Sequence, residues 1–297
     1  MDKKVDRAMT CKECPFCTSP GRSLVKEIIA PIDGKKYSLW ACSCCDLHFF
    51  SPRVFGIEFY ETEEWELYRD FHEGRERFPS WSKKILTTIR SIGWSGFGKK
   101  VLDIGAGDGL LFMGLKRNYG ISYDQYTAIE CDEKSVLACM RRGICNIHPI
   151  FFNRSTSKPF KNKYDLVVIS EVLEHQTDPR ELVDAAMSAL KKEGLLVITV
   201  PNRNTAFYHF REFPGDVPPH HFFRFSKTFF KKWFGNAVVY LQAYPFSGKN
   251  LKKTCGVLSE KVLHVSIFWP LFIPVAVMLR IVDFFLGEGI ICVVRKI

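Results

Sequence analysis

The stretch that most constrains the fold of this chain is Val101–Leu110, where an apolar run with one acid precedes three glycines at alternate positions. The pattern predicts a buried strand, a tight turn that uses the positive φ angles open to glycine, and a helix over Leu110–Arg117. A dinucleotide fingerprint would place its third glycine at position 110, which is leucine here. The form D-x-G-x-G-x-G therefore favours an adenosine ligand without a pyrophosphate over a nicotinamide or flavin dinucleotide.

Strand and helix patterns alternate along the rest of the chain. The predicted strands are Gln125–Ile129, Asn146–Phe152, Tyr164–Ser170, Leu195–Val200, Val238–Ala243 and Gly289–Lys296, and the predicted helices between them are Lys134–Arg142 and Pro179–Lys192. This alternation predicts a doubly wound α/β sheet, whose ligands bind at the carboxyl ends of its strands. The glycine loop, Glu130 and the segment Ser170–His175 all fall at that edge.

Six of the eleven cysteines lie in the first 45 residues. Cys14–Cys17 and Cys42–Cys45 each contain a C-x2-C pair, and two such pairs provide four thiolates for a tetrahedral Zn²⁺. Four cysteine ligands leave no open position, so the predicted metal is structural. Alternating runs at Leu24–Ile29 and Tyr37–Ala41 predict two small strands between the pairs. Cys11 also forms C-x2-C with Cys14, which leaves a shifted ligand set open.

Several of these stretches together resemble the class I S-adenosylmethionine-dependent methyltransferases. They are Val101–Gly109, Glu130, Tyr164–His175, Lys191–Leu196 and Val200–Asn202. The likeness extends to a bacterial subgroup with an N-terminal C-P-x-C … C-x-x-C-G-L zinc segment, which Cys14–Cys17 and Cys42–Leu47 match. The resemblance implies a Rossmann-like seven-stranded methyltransferase sheet with helices on both faces, preceded by a small zinc ribbon and a helical lid.

The resemblance also implies roles for individual residues. Seven would bind S-adenosylmethionine: Gly105, Gly107 and Gly109 by close backbone approach, Asp103 at its amino-acid end, Glu130 at its ribose, and Ser170 and Glu171 near its methyl group. His175 is the best single candidate for a general base, because the pKa of histidine lies near neutrality. His220 and His221 compete for that role, in a segment that resembles the family's H-x-x-x-F-S. The alternative for each histidine is a purely structural role in packing. If the acceptor atom is carbon or an acidic hydroxyl, the reaction needs no general base.

Three features depart from the family pattern. Asp46 stands where the subgroup usually has glycine, and Leu190–Gly194 reads L-K-K-E-G where the common form is L-K-P-G-G. No clear acid follows the third strand to bind the adenine amino group. The first two departures lie away from the expected cofactor pocket, so they leave the resemblance intact.

The sequence divides into three predicted parts. Residues 1–52 form the ribbon, residues 53–98 form an aromatic helical lid and connector, and residues 99–297 form the methyltransferase domain. Within the second part, periodicity predicts helices over Glu58–Glu73 and Pro79–Ile92. The third part contains an apolar helical insertion at about 260–287.

That insertion contains Val262–Leu279, an 18-residue run without Asp, Glu, Lys or Arg. The run meets the length of a membrane-spanning helix, but a span would separate the predicted last strand, Gly289–Lys296, from its sheet. We therefore expect an in-plane or buried helix pair. Four lysines precede the apolar run and favour peripheral contact with an anionic membrane through residues 249–286. A wall of the acceptor pocket or a dimer contact is the alternative.

The leading functional hypothesis is a methyltransferase that uses S-adenosylmethionine and acts on a small-molecule, glycan or lipid-linked acceptor. The alternatives are an RNA methyltransferase, for which the ribbon and the net charge of +10 would bind nucleic acid, and a non-catalytic zinc protein with a methyltransferase-like fold. The apolar insertion favours a hydrophobic acceptor over nucleic acid. The sequence is rich in cysteine and has no export signal in its first ten residues, which predicts a cytoplasmic protein. If the apolar insertion contacts a membrane, we expect peripheral attachment at the inner membrane face.

Overall fold

The structure is a computed structural model that describes residues 13–54, 78–205, 216–245, 270–271 and 273–297. Its strands are β1 Arg22–Ile29, β2 Lys36–Cys42, β3 His48–Ser51, β4 Val101–Ile104, β5 Tyr126–Ile129, β6 Ile147–His148, β7 Tyr164–Ser170, β8 Leu190–Pro201, β9 Phe223–Arg224, β10 Val238–Tyr244 and β11 Gly289–Arg295. Its α-helices are α1 Ser80–Ser91, α2 Leu110–Tyr119, α3 Glu133–Arg141, α4 Pro179–Ala189, α5 Lys227–Phe234 and α6 Ile273–Leu286.

The main sheet has seven strands in the order β10-β11-β8-β7-β4-β5-β6. Strands β6, β5, β4, β7 and β8 are parallel, whereas β11 is antiparallel to β8 and β10 is antiparallel to β11. The chain moves outward from β4 to β6 on one side and resumes at β7 on the other. The carboxyl ends of β4 and β7 therefore flank a topological switch point, where ligands of such sheets bind. The predicted doubly wound sheet is confirmed.

Helices cover both faces of this sheet because its strands are buried on both sides. On one face, Leu102 and Ile104 belong to the core that includes α4 and α5. On the other face, Val101 belongs to the core that includes α1, α2 and α3. Helix α1 contributes Ile85 and Ile89, both fully buried, to this second core. The described part of the predicted lid is thus a packed helix, and Glu58–Glu73 lies outside the described residues, so a lid role stays a prediction.

The second sheet contains a strand that the sequence pattern did not predict. Its order is β1-β2-β3-β9, so β9, from late in the chain, completes the N-terminal sheet. The pairing joins His48 to Arg224 and Phe49 to Phe223. Phe16 packs edge-on against Phe229 of α5, with ring centroids 4.8 Å apart. The N-terminal segment and one face of the main sheet therefore share a continuous core.

Two predicted boundaries differ from the structure. Helix α4 ends at Ala189 rather than Lys192, because Leu190 already has extended backbone angles and pairs with Tyr164 of β7. The third strand of the main sheet, β6, ends at His148 rather than Phe152. Pro149 follows it and has no N–H to donate to a neighbouring strand.

The apolar insertion is described only in part. Helix α6 exposes apolar side chains, among them Val275, Met278 and Ile281 at 44%, 58% and 54% of their surfaces. Among the described residues, no helix combines the length and apolar character that crossing a membrane requires. The start of the predicted run, from Val262, lies outside the described residues, and membrane contact stays a prediction.

Both departures from the family's glycines occupy left-handed backbone positions. Asp46 has a φ of 67° and Glu193 has a φ of 62°, a region that glycine enters without steric cost. Asp46 also supports the fold with its side chain: its carboxylate accepts hydrogen bonds from Arg203 at 2.8 Å and from the Ser226 hydroxyl. Arg203 donates again to the Asp46 carbonyl at 2.6 Å. Asp46 thus joins the cysteine-rich loop to the main domain.

We predict that Asp46→Ala lowers the free energy of unfolding by about 2–3 kcal/mol, because it strains a left-handed position and leaves Arg203 without its carboxylate. Asp46→Gly relieves the strain but not the lost ion pair, so it should cost about 1 kcal/mol less. Urea denaturation measures both. Glu27→Ala, which removes an exposed ion pair with Lys36 in the same sheet, should have no measurable effect. Equal losses for all three variants would contradict the role of Asp46.

Candidate functional site

The glycine loop follows β4 and is held in a conformation that other residues rarely adopt. Gly105, Gly107 and Gly109 have φ angles of 75°, 56° and 73°. A Cβ atom on Gly105 would lie 2.3 Å from Val172 Cγ2, and one on Gly109 would lie 2.4 Å from Ile144 Cδ1. The first contact places the loop directly against the turn after β7. The backbone angles favour glycine at all three positions, and at Gly105 the branched Val172 side chain leaves no space for a Cβ atom.

Glu130, at the end of β5, organises the backbone of two loops. Its carboxylate accepts hydrogen bonds from the N–H groups of Gly107 at 2.8 Å, Cys131 at 2.7 Å and Asp132 at 2.9 Å. Desolvation raises the pKa of Glu130, and these backbone hydrogen bonds oppose the rise. Each carboxylate oxygen has more than one acceptor site, so Glu130 can receive further donors from a ligand.

Asp103 lies within β4 and is 2% exposed. The Tyr126 hydroxyl donates to its carboxylate at 2.5 Å. Burial and the nearby carboxylates of Glu130 and Asp108 raise the pKa of Asp103, the Tyr126 hydrogen bond opposes them, and the net pKa is about 7. A carboxyl group poised near neutrality would gain its charge readily beside a cationic ligand.

Asp108 of the glycine loop forms a charged pair with Arg142, which follows α3. The sequence pattern alone does not indicate this pair. Asp108 is completely buried, and its side chain lies 3.3 Å from the Arg142 guanidinium. Arg142 also donates to the Asp108 carbonyl at 2.7 Å, and the Asp108 carboxylate accepts from the Leu110 N–H at the start of α2. The acid between two loop glycines was visible in the sequence, but its partner 34 positions later was not.

The turn after β7 contains two acids and a histidine. The Ser170 hydroxyl lies 2.9 Å from the Thr199 hydroxyl of β8. Glu171 has a φ of 55°, and such strain at a non-glycine residue often marks a functional turn. Glu174 is 1% exposed, and burial and the charge of Glu171 raise its pKa well above the ordinary value. Glu174 lies within the Tyr164–His175 motif, but the sequence pattern alone assigns it no role.

Three predicted histidines meet beside this turn. The ring centroids of His175, His220 and His221 lie 4.4–4.7 Å apart. His175 donates from Nδ1 to the His220 carbonyl at 2.9 Å, and the Phe222 N–H donates to the Glu174 carbonyl at 2.8 Å. Burial lowers the pKa of both His175 and His221 well below the ordinary histidine value. These two rings are therefore neutral hydrogen-bonding groups near pH 7.

The four predicted metal ligands also come together. Cys14 Sγ lies 3.6 Å from Cys45 Sγ, and Cys17 Sγ lies 3.6 Å from Cys42 Sγ. All four sulfur atoms lie within 4.8 Å of one another. A zinc tetrahedron with Zn–S bonds of about 2.3 Å separates its sulfur atoms by about 3.8 Å, so this donor set fits a metal site with four cysteine ligands. Cys11, the alternative ligand, lies outside the described residues.

The structure thus brings the predicted residues together in two groups. The glycine loop, Asp103 and Glu130 surround the ends of β4 and β5, and Gly105 contacts Val172 in the turn that precedes His175. The histidines and Glu174 come together directly after Val172, at the end of that turn. The third departure noted in the sequence holds, since no carboxylate directly follows β6, where Pro149–Phe152 stand.

Comparisons with known proteins agree with this architecture. The sequence model of a family described as "Methyltransferase domain" matches residues 73–237. A ubiquinone biosynthesis O-methyltransferase of Glaesserella parasuis is 31% identical over 120 residues, which cover 38% of this chain and 49% of the relative. A protein of the same name from Bordetella bronchiseptica is 29% identical over 128 residues, which cover 41% of this chain and 51% of that relative. The chain spans about half the length of the curated relatives it matches.

A solved structure shows the same fold. It is described as a SAM-dependent methyltransferase from Archaeoglobus fulgidus, with a TM-score of 0.50, 19% identity and coverage of 79% of this chain and all of that one. The chain belongs to the methyltransferase domain family, since the family match covers more than half of its length. Within that family, its sheet and glycine loop place it among the class I S-adenosylmethionine-dependent methyltransferases.

We predict that Tyr126→Phe raises the pKa of Asp103 above its value of about 7, because the variant removes the hydroxyl that stabilises the carboxylate. Carbon NMR of labelled aspartate measures the titration. Tyr164→Phe is a matched control, since the Tyr164 hydroxyl instead contacts Thr127 Oγ1 at 3.1 Å. An Asp103 titration that is the same in both variants would contradict the assignment.

Proposed function

We propose that this chain transfers the methyl group of S-adenosylmethionine to a hydroxyl of a small acceptor with an apolar part. One observation carries the proposal: Gly105 packs directly against Val172. That contact joins a loop suited to the donor to a turn whose acids and histidines suit an acceptor. The names of the relatives, O-methyltransferases of ubiquinone biosynthesis, support an oxygen acceptor.

The residues around the loop fit the cofactor. Its ribose hydroxyls would donate to Glu130, whose carboxylate already faces the loop through the Gly107 N–H. Its ammonium group would stabilise the charged form of Asp103, which burial otherwise disfavours. Ser170 and Glu171, at the end of β7, would lie near the reacting end. Bound there, S-adenosylmethionine supplies an activated methyl group on a cationic sulfur.

The acceptor would lie against the histidine side of the turn. Methyl transfer needs the acceptor oxygen in line with the sulfur–carbon bond and a path for its proton. Burial lowers the pKa of His175 and His221 and keeps both rings neutral, so a ring nitrogen of this cluster can accept a hydrogen bond from the acceptor hydroxyl. Phe222 and Phe223, which follow the histidines in sequence, are buried and make this side of the turn apolar.

The direct test is incubation with methyl-labelled S-adenosylmethionine and fractionated cell extract. The proposal expects label in a small, extractable hydroxyl compound, stable to mild acid as an ether is. Label in RNA, in glycan or in protein would overturn the acceptor class. No transfer to any fraction, with cofactor bound, would overturn the activity.

We predict that Gly107→Arg and Asp103→Ala each reduce S-adenosylmethionine affinity below detection by calorimetry. The first fills the loop and forces arginine to a φ of 56°; the second removes the carboxylate that would face the ammonium group. Gly120→Arg is the matched control. Gly120 has a similar φ of 67° at the far end of α2, and a Cβ atom there would meet none of the described atoms within 4 Å. Unchanged affinity in both loop variants would contradict the assignment.

We further propose that Cys14, Cys17, Cys42 and Cys45 bind one structural Zn²⁺. The sulfur spacing supports it, and a thiolate set without an open position does not favour a catalytic role. The ion would hold the loop that carries Asp46 and, through β3, the strand β9.

We predict that Cys14→Ser lowers bound zinc by one equivalent per chain and destabilises the N-terminal sheet, because metal binding and local folding are coupled. Metal analysis and thermal unfolding measure the two effects. Cys44→Ser is the control, since Cys44 is exposed and outside the four-sulfur cluster. Wild-type protein without zinc, or equal zinc loss in both variants, would refute this site.

A further inference from the structure

The three histidines have the spacing of a ligand set. One donor nitrogen from each of His175, His220 and His221 lies within 4.8 Å of the others. An ion with metal–nitrogen bonds of about 2.0–2.1 Å holds tetrahedral ligands about 3.4 Å apart, so binding would draw these side chains inward. We propose that His175, His220 and His221 bind a divalent transition-metal ion, separate from the metal of the cysteine cluster.

The hydrogen bonding of His175 suits this role. A carbonyl oxygen only accepts, so the 2.9 Å contact between His175 Nδ1 and the His220 carbonyl places the ring proton on Nδ1. Donation from Nδ1 makes Nε2 the candidate ligand atom, and the Glu171 backbone also hydrogen-bonds to this ring. Metal-binding histidines commonly donate their other ring N–H to a carbonyl or carboxylate, which fixes the ring orientation.

Glu174 provides an independent reason for a cation here. Its side chain is 1% exposed, and within the part of the chain that the structure describes neither of its carboxylate oxygens has a hydrogen-bond partner. One of them lies 3.9 Å from His175 Nε2. A buried carboxyl group whose oxygens have no hydrogen-bond partner is costly, and imidazoles packed for their shape alone leave that cost uncompensated. A dication held by the histidines would offset it.

The donor atoms select the kind of metal. Imidazole nitrogens suit zinc, cobalt, nickel, copper and iron, whereas magnesium and calcium take mainly oxygen ligands. Three protein nitrogens leave a coordination position that a hydroxyl oxygen can occupy, in place of its hydrogen bond to a ring nitrogen, and a metal lowers the pKa of an oxygen bound to it. This consequence for the acceptor rests on the proposed function, whereas metal binding by the histidines does not.

Cobalt distinguishes the two metal sites by spectroscopy. Purified protein is first analysed for zinc and then titrated with Co²⁺. Thiolate ligands give intense charge-transfer absorption in the near ultraviolet, whereas imidazole ligands give only weaker visible bands. We expect zinc and cobalt to total two ions per chain, with any cobalt signal free of thiolate charge transfer.

The double variant His220→Gln/His221→Gln should bind one ion per chain and lose the visible cobalt bands. The control variant His148→Gln changes a half-buried histidine outside the cluster. It should keep two ions per chain and the visible cobalt bands. Circular dichroism and S-adenosylmethionine affinity establish that each variant is folded, and His175→Gln replaces the double variant if that protein does not fold.

A total of one ion in the wild type, or a second ion that survives loss of both histidines, overturns the metal site. The result is separable from the proposed activity, because ion content is measured without an acceptor. Methyl transfer that persists in a wild type with one ion would overturn the metal site alone. Two ions without any methyl transfer would overturn the function alone.

Discussion

The arrangement of the site depends on the contact between Gly105 and Val172. Any Cβ at position 105 would lie 2.3 Å from the Val172 side chain, so only glycine lets the loop after β4 meet the turn after β7. These strands are neighbours on either side of the switch point. The contact keeps the proposed donor loop and the turn that bears Glu174 and His175 at a fixed separation. Methyl transfer requires the donor and the acceptor to be held in line, and a fixed distance between loop and turn would support that geometry.

The N-terminal sheet positions the other half of the histidine cluster. Strand β9 pairs with β3 at Phe223 and Arg224, two and three residues after His221. Asp46 adds a second connection through Arg203 and Ser226. A structural metal in the cysteine cluster would therefore stabilise the segment that bears the histidines. The ribbon would act on the acceptor side through the backbone, without contacting a substrate.

The sequence predicted what local patterns encode and missed what only tertiary contacts create. Glycine spacing and apolar strands predicted the main sheet, and the C-x2-C pairs predicted the four-sulfur cluster. Strand β9 is two residues long, and nothing in its sequence indicates that it pairs with a strand some 175 positions earlier. The partnership of Tyr126 with Asp103 was hidden for the same reason, since both residues fit an ordinary buried strand. At Asp46 and Glu193 the sequence recorded a departure, but only the backbone angles explain why glycine is usual there.

Charge connects the two halves of the proposed site. Around the glycine loop, Asp103, Asp108 and Glu130 bring three acids together, and Arg142 forms an ion pair with Asp108. Desolvation raises the pKa of both Asp103 and Glu130, and for Asp103 the pKa of about 7 means that the carboxyl is partly protonated near neutral pH. A cationic ligand would favour the charged form of Asp103, so its affinity should rise with pH through the titration of that carboxyl. Across the turn, Glu174 is an acid in the same condition. Both halves of the proposed site thus contain buried acids whose charged forms a nearby cation would favour.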